Sequence, residues 1–348
     1  MSDFHLDRHL VRRHFGDAAA TYEQHDALQR EVQTHLLERL SFYQDAPQRV
    51  LDVGAGTGRG SALLKQRYPK AEVIAVDLAL PMLRAAKQHS SWLKPFSRVC
   101  AEASALPLPD HSIDVLHSNL CFQWIDDLPT LFGECMRVLK PGGLMVFSSF
   151  GPDTLMELRA AWAEADQQPH VSRFLDMHDV GDAMLASGLR DPVLDVFRYT
   201  LTYSEPRKLL EELRGLGATN ADRTRERGLT GKRRYQRMLA AYESMRRDFR
   251  RPATGEVVSA HAWGPPMGQP RRVGGSEIGS FSIDKMQAYV ALARAICHPQ
   301  LTRPAAEVLQ QYYRLQRQSE ARLQARTTLR LLESLVRLAQ GHARLMFR

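Results

Sequence analysis

The chain reads as an α/β protein built on a doubly wound, mostly parallel sheet, and three observations point there. Apolar strand patterns alternate with helical ones, a glycine-rich turn follows the first strand, and an acid ends the second. Strands are expected at 49–53, 72–76, 97–101, 113–118 and 144–149, with helical patterns such as 62–67 and 128–139 between them. Before the first strand, residues 7–40 read as helices, because Leu28, Val32, Leu36, Leu37 and Leu40 fall near a 3.6-residue period. Lys140-Pro-Gly-Gly143 reads as a turn that ends the fourth crossover helix. Residues 193–203 alternate like a strand that closes the sheet, and 256–263 read as its partner. The expected organisation is N-terminal helices capping the site (1–45), a core (46–204 and 252–264) and a basic helical lid (205–251). A Gly/Pro-rich linker (265–282) and a helical appendage (283–348) complete the chain.

Composition narrows the function classes. With 44% hydrophobic and 25% charged residues, the 348-residue chain has the make-up of a soluble globular protein with a substantial core. It has no apolar run of the roughly 18 residues that suggest a membrane helix. Met1 to Arg8 lacks the apolar stretch of a signal peptide, so a cytoplasmic protein with no membrane partner is expected. The four cysteines, Cys100, Cys121, Cys135 and Cys297, form no C-x-x-C pair, and neither a metal site nor a disulfide framework is expected. The net charge of +8 is uneven: residues 207–251 carry 14 Lys/Arg against 6 Asp/Glu, and residues 284–348 carry 11 against 4. An acidic core thus bears two basic segments, which suit an acidic partner or are solvated helix faces.

The chemistry starts at Val50-Leu-Asp-Val-Gly-Ala-Gly-Thr-Gly58 and Val73-Ile-Ala-Val-Asp77. Glycines let a ligand approach the backbone, a helix start offers unpaired N–H groups, and an acid at the end of the second strand can accept from both hydroxyls of a ribose. The dinucleotide spacing G-x-G-x-x-G fails, since Arg59 stands three residues after Gly56, and no G-x-x-x-x-G-K-[ST] loop exists in the chain. The G-x-G-x-G form with its later acid resembles the S-adenosylmethionine site of class I methyltransferases. That resemblance implies a Rossmann-like sheet with the last strand antiparallel. It places Asp52, Gly54, Ala55, Gly56 and Gly58 at the methionine moiety, Asp77 at the ribose, and Leu78 with Met82 on the adenine face. Glu102, beside Ala103, either accepts from the adenine N6 or is a solvated loop acid. In Ser118-Asn-Leu-Cys-Phe-Gln-Trp124, Asn119 and Gln123 lie near the sulfonium or satisfy loop backbone, and Trp124 belongs to the site or to the core.

A narrower resemblance rests on Phe15-Gly-Asp-Ala-Ala-Ala-Thr-Tyr22, Leu106-Pro-Leu-Pro-Asp110, the Ser118–Trp124 segment, Arg137-Val-Leu-Lys-Pro-Gly-Gly143, Phe150-Gly-Pro-Asp-Thr154 and Gly217-Ala-Thr-Asn220. Over roughly residues 8–265 these are similar to the BioC-type malonyl-[acyl-carrier protein] O-methyltransferases of biotin synthesis, although Glu102 stands where an Asp is more usual. The resemblance implies methylation of the free carboxylate of a malonyl thioester on acyl carrier protein, with S-adenosylhomocysteine as co-product. Tyr22 and His25 would close over the cofactor beside Asn119, and Tyr203, Arg214 and Asn220 would orient the carboxylate. Arg223, Arg225, Arg227, Lys232, Arg233, Arg234 and Arg237 would steer the acidic carrier onto a monomeric enzyme without nucleic acid. The alternative is a methyltransferase of nucleic acid or protein, recruited by the basic lid and tail.

Residues 316–348 resemble the helical lid that follows the ATPase core of minichromosome maintenance helicases, and Arg330 matches that family's nucleotide-contacting arginine. The chain contains none of the family's Walker loops, so a fused helical appendage without helicase function is expected.

Overall fold

The computed structural model describes residues 5–226, 228 and 230–264. The expected linker (265–282), the appendage (283–348) with Arg330, and Arg227 lie outside the described residues.

Seven strands form one sheet. They are β1 (Arg49–Val53), β2 (Glu72–Asp77), β3 (Ser97–Cys100), β4 (Ile113–Ser118), β5 (Leu139–Phe150), β6 (Arg190–Tyr203) and β7 (Arg251–Trp263), in the order β3-β2-β1-β4-β5-β7-β6. β1 to β5 are parallel, and β7 runs antiparallel between β5 and β6. The order reverses at β1, so β1 and β4 diverge into connections on opposite sides and leave a crevice at their C-terminal ends.

Both faces of the central strands are buried because alternate residues feed two cores. Leu51, Val53, Ile74, Val76, Leu116 and Phe147 pack against α6 (Leu128–Val138) and α8 (Met177–Ala186). Val50, Val73, Ala75, Val115 and Val146 pack on the other face. Their partners are Leu36 and Leu40 from and after α3 (Ala27–Glu38), Leu64 from α4 (Arg59–Arg67) and Leu83 from α5 (Leu80–Ala85). A third core joins Leu158 and Trp162 of α7 (Met156–Ala163) to Leu209 of α9 (Pro206–Gly215). Met238 and Tyr242 of α10 (Lys232–Ser244) complete it. The two helices α9 and α10 lie in the insertion between β6 and β7.

One expectation is corrected. Lys140-Pro-Gly-Gly143 lies inside β5 as a bulge: Ile113 pairs with Leu139, whereas Val115 pairs with Leu144. Gly142 at φ +71° absorbs the extra length, and Lys140 Nζ reaches Asp114 Oδ1 at 2.7 Å. The closing strand and its partner form the antiparallel pair that the pattern predicts. β6 is the sheet's edge, and β7 beginning at Arg251 is the strand that docks on β5.

Candidate functional site

The glycine turn is shaped by contacts that no side chain would tolerate. Gly54 (φ +71°) lies so close to Cys121 that a Cβ would sit 2.4 Å from its Sγ, and its N–H donates to Val76 O at 2.8 Å. Gly58 (φ +83°) caps α4, and a Cβ there would lie 2.6 Å from Ala86 Cβ. Gly58 therefore brings α4 against the segment after α5. It lines none of the cavities, unlike Gly54 and Gly56.

A cleft above this turn is lined by Gly54, Gly56, Asp77, Leu78, Met82, Glu102, Ala103, Asn119, Cys121 and Trp124. Tyr22 follows α1 (Arg8–Ala18) at the head of α2 (Tyr22–His25) and lines it too, with Arg8 and Phe15 of α1. Asp77 Oδ2 accepts from Gly56 N and Oδ1 from Ala79 N, both at 2.8 Å. Burial raises its carboxyl to about 6 against those two hydrogen bonds, which pull it down. Burial also pushes the Cys121 thiol up to about 12 and the Tyr22 hydroxyl well above the usual range. Arg8 donates to Glu102 Oε2 at 3.3 Å, so α1 is tied over the far end of the cleft. Asn119 donates to Gln29 O at 3.0 Å and accepts from Ser148 Oγ at 2.8 Å.

A side cavity of about 50 Å³ opens behind the turn, lined by Asp52, Ala55 and Gly56 together with Tyr22, Asp26, Gln29 and Arg59. Asp26 Oδ1, Gln29 Oε1 and Arg59 Nε are buried there without a hydrogen-bond partner, and Arg59 is ion-paired with Glu23 at 3.4 Å and Asp26 Oδ2 at 3.5 Å. Arg30 Nε stands 3.2 Å from Asp26 Oδ1 but is not aligned to donate to it. Unpartnered buried acceptors and a guanidinium around one small space fit an ammonium and a carboxylate on one carbon, the aminoacyl end of S-adenosylmethionine. The sequence reading missed Gln29 and Arg59. Arg59 directly follows the last glycine of the turn, and that adjacency was the available signal.

Trp124, edge-on to Phe15 at 5.2 Å, is shared between the cleft and a second, larger cavity of about 390 Å³. Phe150, Leu158, Trp162, Phe174, Leu209, Leu213 and Tyr235 make that cavity mostly apolar. Tyr203 lines it and donates to Glu212 Oε1 at 2.9 Å; burial holds both groups above their usual ranges. Arg214 lines it as well, and its side chain makes no hydrogen bond or ion pair among the described residues.

Two expected site residues take other places. Asn220 is in the wall of the larger cavity, but its amide donates to Pro169 O at 2.5 Å and its carbonyl accepts from Asp222 N at 2.9 Å. It braces the lid loop through these bonds, and one amide hydrogen is left over. His25 lines neither the cleft, the side cavity nor the larger cavity: its ring packs so tightly on Gly215 that a Cβ there would lie 2.1 Å away. His25 thus seats α9 on the N-terminal helices. The same seam continues with Thr21 Oγ1 donating to Gly215 O at 2.9 Å, Asp7 N to Ala221 O at 2.9 Å and Arg223 N to His5 O at 2.9 Å. Gln123 donates to Leu120 O at 2.6 Å and lies outside both large cavities.

The fold and the glycine site define a class I methyltransferase, and a methyltransferase domain model matches residues 51–147. A model of the MCM AAA-lid domain matches residues 284–348. The malonyl-[acyl-carrier protein] O-methyltransferase of Xylella fastidiosa is 46% identical over 81% of this chain and 96% of its own length. That of Halorhodospira halophila is 51% identical over 80% and 94%. That of Gallionella capsiferriformans is 45% identical over 76% and 93%. The chain belongs to the malonyl-[acyl-carrier protein] O-methyltransferase family.

Proposed function

We propose that this chain moves a methyl group from S-adenosylmethionine to the free carboxylate of a malonyl thioester on acyl carrier protein, in the cytoplasm, for biotin synthesis. The observation that carries the reading is the pair of cavities meeting at Trp124, one polar-ended behind a glycine turn and one apolar with the unpaired cation of Arg214. Relatives that cover most of the chain and bear this activity in their names support it.

Bound in the first cleft, the cofactor supplies an electrophilic methyl on a sulfonium. The chain's own work is alignment. A malonyl carboxylate is ionised at neutral pH, so no general base is required. Arg214 would pair with it, Tyr203 would line its approach, and the apolar wall would exclude water while the carboxylate is aligned for methyl transfer. Asp77 takes the ribose, Leu78 and Met82 the adenine face, Glu102 the adenine amino group, and Asp52 with Arg59 the aminoacyl end. Lys232, Arg233 and Arg237 have no ion pair among the described residues and offer their charge to the acidic carrier. Arg234 contributes less to that steering, because Glu226 holds it at 2.6 Å and Asp166 at 3.2 Å. The C-terminal segment is a fused appendage with no part in methyl transfer.

Incubation with methyl-labelled S-adenosylmethionine and malonyl-carrier protein, beside malonyl-CoA, RNA and DNA, tests the reading. Base-labile label on the malonyl-carrier protein is expected. Label on RNA, DNA or the protein itself, with none on the malonyl group, overturns it.

A further inference from the structure

His117, in the middle of the sheet, has no exposed surface, although a strand buried on both faces ordinarily carries an aliphatic residue there. Val115, two residues earlier on the same face of β4, is such a residue. A buried imidazole is tolerated only when its nitrogens are matched, and here both are. Nδ1 lies 2.8 Å from Asp52 Oδ1, and Nε2 lies 3.0 Å from Gln33 Nε2. Ser61 Oγ donates to the other Asp52 oxygen at 2.6 Å.

The partners decide the tautomer. A carboxylate only accepts, so Nδ1 carries the hydrogen and donates to Asp52; Nε2 then presents its lone pair to the Gln33 amide, which donates. Four segments converge on this chain of bonds: α3 through Gln33, β4 through His117, β1 through Asp52 and α4 through Ser61. His117 lines neither the cleft, the side cavity nor the larger cavity, whereas Asp52 lines the side cavity behind the glycine turn.

We infer that His117 is a positioning residue for the aminoacyl end of the cofactor, acting through Asp52, which it holds in one rotamer facing the side cavity. The inference rests on the reading that the cleft takes S-adenosylmethionine. Without the Nδ1 donor, the Asp52 carboxylate keeps only the Ser61 hydroxyl and turns away from the ligand. The adenosine end, which contacts Asp77, Leu78 and Met82, is left as it was.

Calorimetric titration of the full chain with S-adenosylmethionine and with 5′-methylthioadenosine, which has the adenosine but no aminoacyl group, separates this role from general support of the fold. His117→Leu is expected to weaken S-adenosylmethionine about tenfold or more, as for a lost hydrogen bond to a charged group, and methylthioadenosine less than about twofold. His117→Asn, whose side-chain NH₂ can take the place of Nδ1–H, is expected to keep both affinities within about threefold of wild type. Equal losses of the two ligands in His117→Leu, or no loss of either, overturn the inference. If His117→Leu does not fold, Gln33→Leu decides: a loss of about threefold or more confined to S-adenosylmethionine supports the inference, and its absence overturns it. Wild-type protein that binds neither ligand overturns the cofactor reading and the inference together. Wild-type protein that binds both, with no selective loss in the variants, overturns the inference alone.

Discussion

The two cavities on either side of Trp124 are built in different ways. Much of the cofactor cleft comes from one stretch, residues 53–103, whose turns are fixed by backbone bonds such as Gly54 N and Ala55 N to Val76 O and by Asp77 on Gly56 N. The larger cavity gathers residues from α3, α7, β6, β7, α9 and α10, held by the separate core of Leu158, Trp162, Leu209, Met238 and Tyr242 and by the seam to the N-terminal helices. A site built on strand ends keeps its shape through the sheet. A site closed by an insertion depends on side-chain contacts between distant segments, and opens when those contacts loosen.

The largest expected effect falls on the first region. If Asp77 takes the ribose as proposed, Asp77→Ala removes the acceptor for both hydroxyls and should cost roughly 3 kcal/mol or more of cofactor binding. In thermal shift the variant should unfold somewhat earlier, having lost its bonds to Gly56 and Ala79, and should gain no stabilisation from S-adenosylmethionine. Wild-type stabilisation by the ligand would mean that the ribose lies elsewhere.

The second region should respond through substrate alone. Arg214→Met would remove the cation proposed to pair with the malonyl carboxylate, and we expect KM for malonyl-carrier protein to rise about 10- to 100-fold. The dissociation constant of S-adenosylmethionine should stay within about twofold, and a parallel loss would move Arg214 to the cofactor side of Trp124.

Acid should weaken the cleft. Burial lifts the Asp77 carboxyl from its ordinary value of 3.8 to about 6, so it is protonated below that pH and ionised above it. In the proposed reading the ionised form accepts from the ribose, so cofactor affinity should be constant above about pH 6 and fall up to about tenfold per unit below it. Asp77→Asn should flatten the profile. Binding that strengthens as pH falls from 7 to 5 would contradict the assignment.

Charge reversal at Lys232, Arg233 and Arg237 should raise KM for malonyl-carrier protein several-fold and leave malonyl-CoA turnover nearly unchanged. Salt should shrink the effect, since exposed charges are screened over about 8 Å at physiological ionic strength. Equal losses with both substrates would make these residues part of the lid's framework. The smallest effect, none, is expected from ending the chain after Ser282, and the full chain should show no ATP turnover because it encodes no Walker loop. A shortened protein that folds but cannot methylate would make the tail part of the enzyme.

The sequence by itself determined the parallel half of the sheet, the glycine turn and the acid at Asp77. These depend on local rules: strands show as apolar runs, positive φ demands glycine, and the second strand ends where its hydrophobic run does. β1 and β4 begin and end where the pattern put them. Only the tertiary structure decided what touches the ligand space. Gly58 and Gly54 look alike in the motif, yet one meets Ala86 and the other Cys121 beside the cleft, a difference made by segments 28 and 67 residues away. Asn220, His25 and Arg234 look free in sequence and are occupied by Pro169, Gly215 and Glu226, whereas Arg214, two residues beyond the Glu212 that Tyr203 engages, stays unpaired among the described residues. Polar side chains find partners through space, so their vacancies cannot be read along the chain.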